Sequence, residues 1–492
     1  MDVKKNILNL IANAQYDSYL FYAIERLVLT MLKEYSKEQG KEIKTNVTNK
    51  NFVYDAFFPN GVDDLKGKIA VEIKNTIYID SIPRSIKNLI TKINKISNKR
   101  KAIDILLVII VNEVPLSIND KIISLKENQN FDIKIWDINK VAEICNKYEE
   151  KFKKIYNNIN MFLLDDTLNN SFTEENDSYN VRNSEYINRI KTEYANEKLV
   201  LFLGAGISVD AGIPSWNDLI TELFVKMVEG KMNETKTKMG RSKDRIVSSI
   251  IKQNESWPLI QVRYLQEAYK GNLKKNVSDI LYKKSSNSSA LLTEIAKLCI
   301  PNRKKIGIQA IVNYNFDDLI EINLKEQSIE YCSVYGEGMK PNDSEIGVYH
   351  VHGFIPQNED DYDRVSDSML VFSEDGYHTL NQEPYNWSNL IQLDYLINKS
   401  CLFIGLSMTD PNLRKLLKIA NDKRLVSGSE INHYAIMRKF KIDKKRIKNI
   451  EPIERFEKIN DIMQEHLFNA IGVKIIWIND FSEIPEILKQ IK

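Results

Sequence analysis

Short apolar runs recur along the chain, and between them apolar positions fall at helical spacing. Beyond residue 185 the runs are LVLFL at Leu199–Leu203, then 307–313, Ser400–Ile404, 433–437 and Val473–Ile478. Each is strand-sized, and their alternation with helical patterns predicts a mostly parallel, doubly wound α/β sheet of Rossmann-like form. Residues 221–298 read as mainly helical and predict an inserted lobe. Before residue 168 the order is helix 16–35, strand 53–58, turn, strand 69–73, helix 81–96, strand 104–111, helix and strand 133–138, a second α/β pattern. The stretch LNNSFTEENDSYNVRNSE, residues 168–185, has few apolar residues and no period that buries a face, which marks a linker. The expected organisation is 1–167, linker 168–185, and 186–492 with the helical lobe inside it. No 20–50-residue repeat is visible.

Composition narrows the classes. At 492 residues with 43% hydrophobic and 28% charged positions the chain is of ordinary globular balance. Lys plus Arg number 69 against 67 acids, a net charge of +2, so no overall field points to nucleic acid or an anionic membrane, and any basic surface is local. The apolar run at 105–111 falls far short of the ~18 residues of a membrane span, and the start MDVKKNILNL has no secretory apolar region, so a cytoplasmic protein without membrane contact is expected. Cys145, Cys299, Cys332 and Cys401 lie far apart with no Cys-x-x-Cys pair, which suggests neither zinc nor a disulfide framework.

Chemistry concentrates in LFLGAGISVDAGIPSW, residues 201–216. A buried strand is followed by glycines that let the backbone turn tightly and approach a ligand, and the helix expected near Ser215 would aim free N–H groups at a phosphate. The loop departs from the G-x-G-x-x-G dinucleotide fingerprint, because Val209 follows Gly204 and Gly206 at the third position. Downstream stand NYNFD (313–317), HVHG (350–353) and FIGLSMTDPN (403–412).

These four segments, in this order, resemble the sirtuin family over roughly residues 184–492. The resemblance implies Asn315, His352 and Asp317 as the catalytic group. It implies that Gly204, Ala205, Gly206, Ser208, Pro214, Trp216, Gly405, Ser407 and Asp410 line NAD+. The chemistry fits these residue types: breaking the nicotinamide–ribose bond builds oxocarbenium character, which calls for positioned polar groups and little loose water. An amide such as Asn315 holds a water or hydroxyl by donor and acceptor together, and a histidine takes a proton near neutral pH. Period two along a strand puts His350 on the same side as His352, which leaves an exchange of their roles open.

Two features depart from the deacetylase branch: there is no four-cysteine zinc module, and Ser215, Trp216 and Asn217 follow Pro214 where that branch has Asp-Phe-Arg. Both are similar to the prokaryotic sirtuin-like domains of antiviral defence, which hydrolyse NAD+ to nicotinamide and ADP-ribose. That comparison implies an autoinhibited resting form within a homo-oligomer or with a partner ATPase.

In the first half, YDAFFPNGVDDLKGKIAVEIKN (54–75) reads as a hairpin whose second strand ends in Glu72-x-Lys74. A turn near Asp63 sets Tyr54 or Asp55 opposite Glu72, so Asp55, Glu72 and Lys74 form a candidate nuclease-like group. Asp55 and Glu72 are the candidate ligands for Mg²⁺, with Glu25 as a possible third. The constellation and strand order resemble the PD-(D/E)XK restriction-endonuclease fold, particularly its Mrr-like members. Between 81 and 103 lie seven cations and no acid, with Arg84, Lys87, Lys92, Lys95 and Lys99 at near-helical spacing, a stripe suited to a phosphate backbone or to solvent. The expected function is an antiviral NADase with a nuclease-like domain for DNA cleavage, sensing or assembly. Its alternatives are a metal-dependent DNA endonuclease whose sirtuin-like half senses NAD or ADP-ribose, and a binding module without turnover.

Overall fold

The structure is a computed structural model. It describes all residues except 1, 15–18, 50–51, 77, 97–102, 127–128, 160–161, 163–177, 235–241, 243–244, 247–248, 250–257, 270, 302–306, 372–382, 384, 428–431, 445–446 and 448. Its contacts divide the chain into two compact units. One comprises Met1–Ser178, Asn421–Glu430 and Ile442–Ile471; the other comprises Tyr179–Ala420, Ile431–Lys441 and Gly472–Lys492.

The first unit runs α1 (Val3–Ala14), α2 (Tyr19–Glu38), β1 (Lys44–Asn49), β2 (Phe52–Phe58), β3 (Ile69–Lys74), α3 (Ile82–Ile96), β4 (Ile105–Ile110), α4 (Leu116–Ser124), β5 (Asp132–Trp136), α5 (Ile138–Lys147) and α6 (Glu149–Asn157). The sheet order is β1-β2-β3-β4-β5, with β1–β2 and β2–β3 antiparallel and the remaining pairs parallel. β4, ILLVII, is buried along its whole length, as a central strand covered on both faces must be. Its residues alternate between two cores. Ile105, Leu107 and Ile109 join Ile24, Leu27, Phe58 and Phe152, while Leu106, Val108 and Ile110 join Ile86, Leu89 and Ile118. The expected hairpin is present, with Ala56 opposite Val71, a register that carries Asp55 against Glu72. The polar edge strand KTNVTN and helix α1 had no counterpart in the hydrophobic pattern.

The second unit contains α7 (Ser178–Ala195), β6 (Leu199–Leu203), α8 (Trp216–Glu234), α9 (Pro258–Ala268), α10 (Leu273–Leu281), α11 (Ala290–Leu298), β7 (Ile308–Asn313), α12 (Leu319–Glu326), β8 (Tyr331–Val334), β9 (Ile346–His350), α13 (Trp387–Asn398) and β10 (Ser400–Ile404). α14 (Pro411–Ser427), β11 (His433–Arg438), α15 (Glu451–Asn469), β12 (Val473–Ile478) and α16 (Ile484–Ile491) follow in the chain, with α15 and α14 from Asn421 onward among the residues grouped with the first unit. Every strand pair is parallel, in the order β12-β11-β10-β6-β7-β9-β8. Successive strands are laid to either side of β6, so the chain diverges where β6 and β10 end, the position at which doubly wound sheets open a crevice. Residues 178–185, read as linker, form the start of α7. The helix is anchored further along by Ile187, Ile190 and Tyr194 in the core, and the polar residues extend it by one to two turns.

Candidate active site

The loop after β6 owes its glycines to a neighbouring backbone. A Cβ on Gly204 would lie 2.5 Å from Leu406 Cδ2 and 2.7 Å from the Gly405 carbonyl oxygen; one on Gly206 would lie 2.8 Å from Gly405 Cα. Gly405 has φ +68, and its own Cβ would meet the Ile207 nitrogen at 2.7 Å. The loops after β6 and β10 therefore interlock main chain to main chain, tied by Gly204 N–H to the Ile404 carbonyl and Gly206 N–H to the Gly405 carbonyl at 3.0 Å each. Two 3₁₀ turns, Ala205–Ile207 and Val209–Ala211, intervene before α8 and leave Ser208 wholly buried between them.

Ser208 is where the crevice chemistry begins. Its hydroxyl donates to Asp317 Oδ1 at 3.2 Å and accepts from Asn315 Nδ2 at 3.0 Å. Asp317 Oδ1 also accepts from the Leu319 N–H at 3.2 Å, where α12 starts. The Asn315 N–H donates to Asn313 Oδ1 at 3.1 Å, and the Asn315 carbonyl faces His350 Nδ1 at 3.1 Å. The amide of Asn315 is thereby oriented, with its NH₂ spent on Ser208. Its Oδ1 is buried and has no protein hydrogen-bond partner among the described residues. Burial pushes the Asp317 carboxyl up to about 6, against the pull of the Leu319 and Ser208 donors; the charge of Glu321 adds to the rise and that of His350 opposes it.

His352 joins this group through Tyr314, whose ring meets the imidazole edge to face at 4.6 Å and whose hydroxyl bonds Gln392 on α13. His352 Nε2 lies 3.5 Å from Asp410 Oδ2. Burial holds His352 below the ordinary histidine value, and the Asp410 charge offsets this only in part, so the ring is neutral and able to accept a proton at pH 7. The two histidines do not share surroundings as a strand period would require. β9 stops at His350, and the next residues turn, with Val351 N–H on the Asn313 carbonyl at 3.1 Å and Gly353 N–H on the His350 carbonyl at 3.3 Å. His350 is fully buried, with both ring nitrogens against other partners.

The remaining expected contact residues are placed as follows. Asp410 also accepts from the Leu413 N–H at 2.7 Å, capping α14. Ser407 is exposed, with its hydroxyl 2.7 Å from that of Thr409. Trp216 opens α8 with its ring 6.2 Å from that of Phe316, Pro214 is half-buried and Ala205 is exposed. The expected site residues left out Asn313, although NYNFD contains it, and no motif held Glu321 or Ser333; all three are polar groups buried at or beside this site. Glu321 left a signal: a carboxylate within LIEINL, where its helix otherwise feeds the core.

In the first unit, Asp55 Oδ2 accepts from the Ile73 N–H at 2.6 Å and Lys74 Nζ lies 2.8 Å from Glu72 Oε1. Burial, then the charges of Glu72 and Glu25, push the Asp55 carboxyl well above the usual range. Among the described residues no group of three or more His, Cys, Asp and Glu is arranged to hold a metal ion. On α3, Arg84 and Lys87 are exposed, Lys92 and Lys95 lie on the same helix, and Lys99 falls outside the described residues. No described helix is long and apolar enough to cross a membrane.

Residues 309–460 match the family described as the SIR2-like domain. The C-terminal region carries a SIR2-like domain. The match takes in Asn315, Asp317, His352, Gly405, Ser407 and Asp410, while the loop at 201–216 precedes it. The chain is similar to the NAD(+) hydrolase ThsA of Enterococcus faecium, with 24% identity over 323 residues, 62% of this chain and 57% of that protein. It is 23% identical over 315 residues to the NAD(+) hydrolase ThsA of Bacillus cereus (strain MSX-D12), covering 62% and 56%, and 24% identical over 304 residues to that of Cytobacillus dafuensis, covering 60% and 53%. The chain thus spans a little over half the length of these relatives.

Proposed function

We propose that the SIR2-like domain hydrolyses NAD+ to nicotinamide and ADP-ribose, as an effector of antiviral defence. The observation that carries this reading is the Asn315 amide: fixed by Ser208, buried, and left with an unpartnered Oδ1 beside the carboxyl edge of the sheet. That oxygen suits a ribose hydroxyl or the attacking water. As the C–N bond to nicotinamide breaks, the leaving group takes the bonding electron pair, water bonds to the anomeric carbon, and its proton passes to neutral His352. Asp410 then faces the resulting imidazolium, and Asp317 and Ser208 keep the amide from rotating. The similarity to proteins named NAD(+) hydrolases supports the same substrate.

Nicotinamide release from NAD+ by the full chain, followed chromatographically, tests it. Asn315→Ala and His352→Ala should each lower kcat by about 10²–10³; release unchanged in both refutes the assignment. The reading includes a cytoplasmic homo-oligomer, with or without a partner ATPase, that restrains the activity until triggered.

One observation favours a second reading for the first unit. Asp55 and Glu72 face each other across β2 and β3 beside Lys74, and the Asp55 carboxyl is raised by burial first and then by the charge of Glu72, both of which a divalent cation would offset. On this reading Asp55 and Glu72 hold Mg²⁺, which when bound supplies a polarised water for phosphodiester cleavage, and α3 tracks DNA. The SIR2-like domain would then serve as an NAD or ADP-ribose sensor. Plasmid cleavage that needs Mg²⁺ and is lost in Glu72→Gln, with NAD+ untouched, would select it.

A further inference from the structure

Beside Asn315 lies a buried pair, His350 of HVHG and Glu321, which no motif contained. His350 Nε2 is 2.7 Å from Glu321 Oε1, and the Ser333 hydroxyl donates to the same oxygen at 2.9 Å. His350 and Glu321 are 0% exposed and Ser333 8%. The opposite ring nitrogen, Nδ1, is 3.1 Å from the Asn315 carbonyl oxygen. Phe354 closes the side of the imidazole with its ring centroid 4.3 Å away, and Tyr335 stacks on Phe354 at 4.7 Å.

We propose that Glu321 is a positioning residue of the SIR2-like site, acting through His350 to hold the Asn315 carbonyl and, with it, the Asn315–Ser208–Asp317 chain. This rests on the reading of that site as an NAD+ glycohydrolase. A carbonyl oxygen only accepts, so Nδ1 carries a proton. The Ser333 hydroxyl gives its proton to Glu321 Oε1, so one further proton lies between Oε1 and Nε2, and the raised value of His350 places it on the ring. The ring is an imidazolium held at a charge-assisted distance.

A neutral ring bonded to Asn315 beside an ionised Glu321 would set two acceptors, Nε2 and Oε1, against each other in a buried site, a costly arrangement. The pair therefore fixes both the protonation and the orientation of the ring, much as a buried carboxylate fixes a histidine in a hydrolase triad. Burial works against the charge on His350, but the facing Glu321 prevails, and its value is raised. Among the described residues the titratable groups that interact electrostatically with Glu321 include Asp317, Asp318, Tyr331 and Tyr362, and Asp317 also acts on His350.

The test uses the full chain with ¹⁵N-labelled histidine rings, its five histidines resolved by NMR and His350 assigned from the resonance lost in His350→Gln. In the unsubstituted protein His350 should show both nitrogens protonated well above the ordinary imidazole value of about 6.5. Glu321→Gln should abolish that signature and lower kcat for nicotinamide release about tenfold with KM for NAD+ within about twofold, because Glu321 touches no substrate. Ser333→Ala, which leaves the pair in place, should retain the signature and lose less activity. A singly protonated His350 in the unsubstituted protein at neutral pH overturns the proposal, and so does Glu321→Gln with unchanged kcat. Nicotinamide release that survives Asn315→Ala instead sinks the functional reading. The ring signature is read without substrate, so the two failures are distinguishable.

Discussion

Asp317 carries a stability cost that its surroundings only partly offset. Its carboxyl is raised from 3.8 to about 6, chiefly by burial. A raised acid contributes stability in full below 3.8 and loses it as pH climbs through about 6, because above that the fold must hold a charge that the unfolded chain solvates freely. The shift corresponds to up to about 3 kcal/mol. Asp317→Asn, which keeps an oxygen for Leu319 and Ser208, should therefore melt higher than the unsubstituted protein well above pH 6 and no higher below 3.8. Calorimetry across pH checks this, and equal melting at every pH contradicts it.

Nicotinamide release should also fall as pH drops through about 6, since a protonated Asp317 no longer offers Ser208 a charged acceptor. At this scale Asn315, Asp317, Ser208 and His352 were legible because each sits in a short contiguous motif at a strand end. Glu321 and Ser333 were not. Their contact exists only once α12 lies against β8, a placement that no local pattern encodes.

At the scale of elements, the loops after β6 and β10 act as one piece. The sequence marked the glycines of 204–206 as room for a ligand, yet the space beside them is filled by Gly405 and Leu406. The neighbour lies 200 residues away, so its claim on that space was invisible before the sheet was assembled. Gly206→Ala should cost about 1–3 kcal/mol, as overpacking of a tight contact does. It should also reduce kcat/KM, because displacing the loop moves Ser208. Gly230→Ala is the control: it lies in α8 with nothing within 4 Å of the added Cβ, and should stabilise by about 0.5–1 kcal/mol. Thermal melts of the two variants that shift in the same direction would contradict the interlock.

The strands buried on both faces were the most legible elements, because a run such as SCLFI admits few other placements. The helical lobe was legible from its spacing. The edge strand KTNVTN was not, since a polar strand carries no apolar signature.

At the scale of the whole molecule, two α/β units share one chain, and each buries a carboxyl whose value is raised. The hairpin arithmetic left Tyr54 or Asp55 opposite Glu72, and the register, with Ala56 opposite Val71, selects Asp55, because a single turn fixes the pairing of two strands. What the pair does is a separate question, and its electrostatics give a handle on it. Asp55 is raised by burial first and then by Glu72 and Glu25, so it too favours the folded state at low pH and forfeits that contribution as pH rises past 3.8.

A bound divalent cation would reverse the sign of the local field and make two ionised carboxylates an asset. Mg²⁺ should then raise the melting temperature of the full chain at neutral pH, by mass action on the folded state. Asp55→Asn should melt higher than the unsubstituted protein without metal, having lost the repulsion, and should bind Mg²⁺ at least about tenfold more weakly in titration calorimetry. If Mg²⁺ binds both proteins alike, or neither, the pair is a buried acid kept for the fold, with Lys74 as its only counter-charge among these three residues. The first unit would then be left to sensing or assembly. Throughout, Asp55→Asn should leave nicotinamide release by the other unit unchanged, since Asp55 and Asn315 belong to different units of the chain.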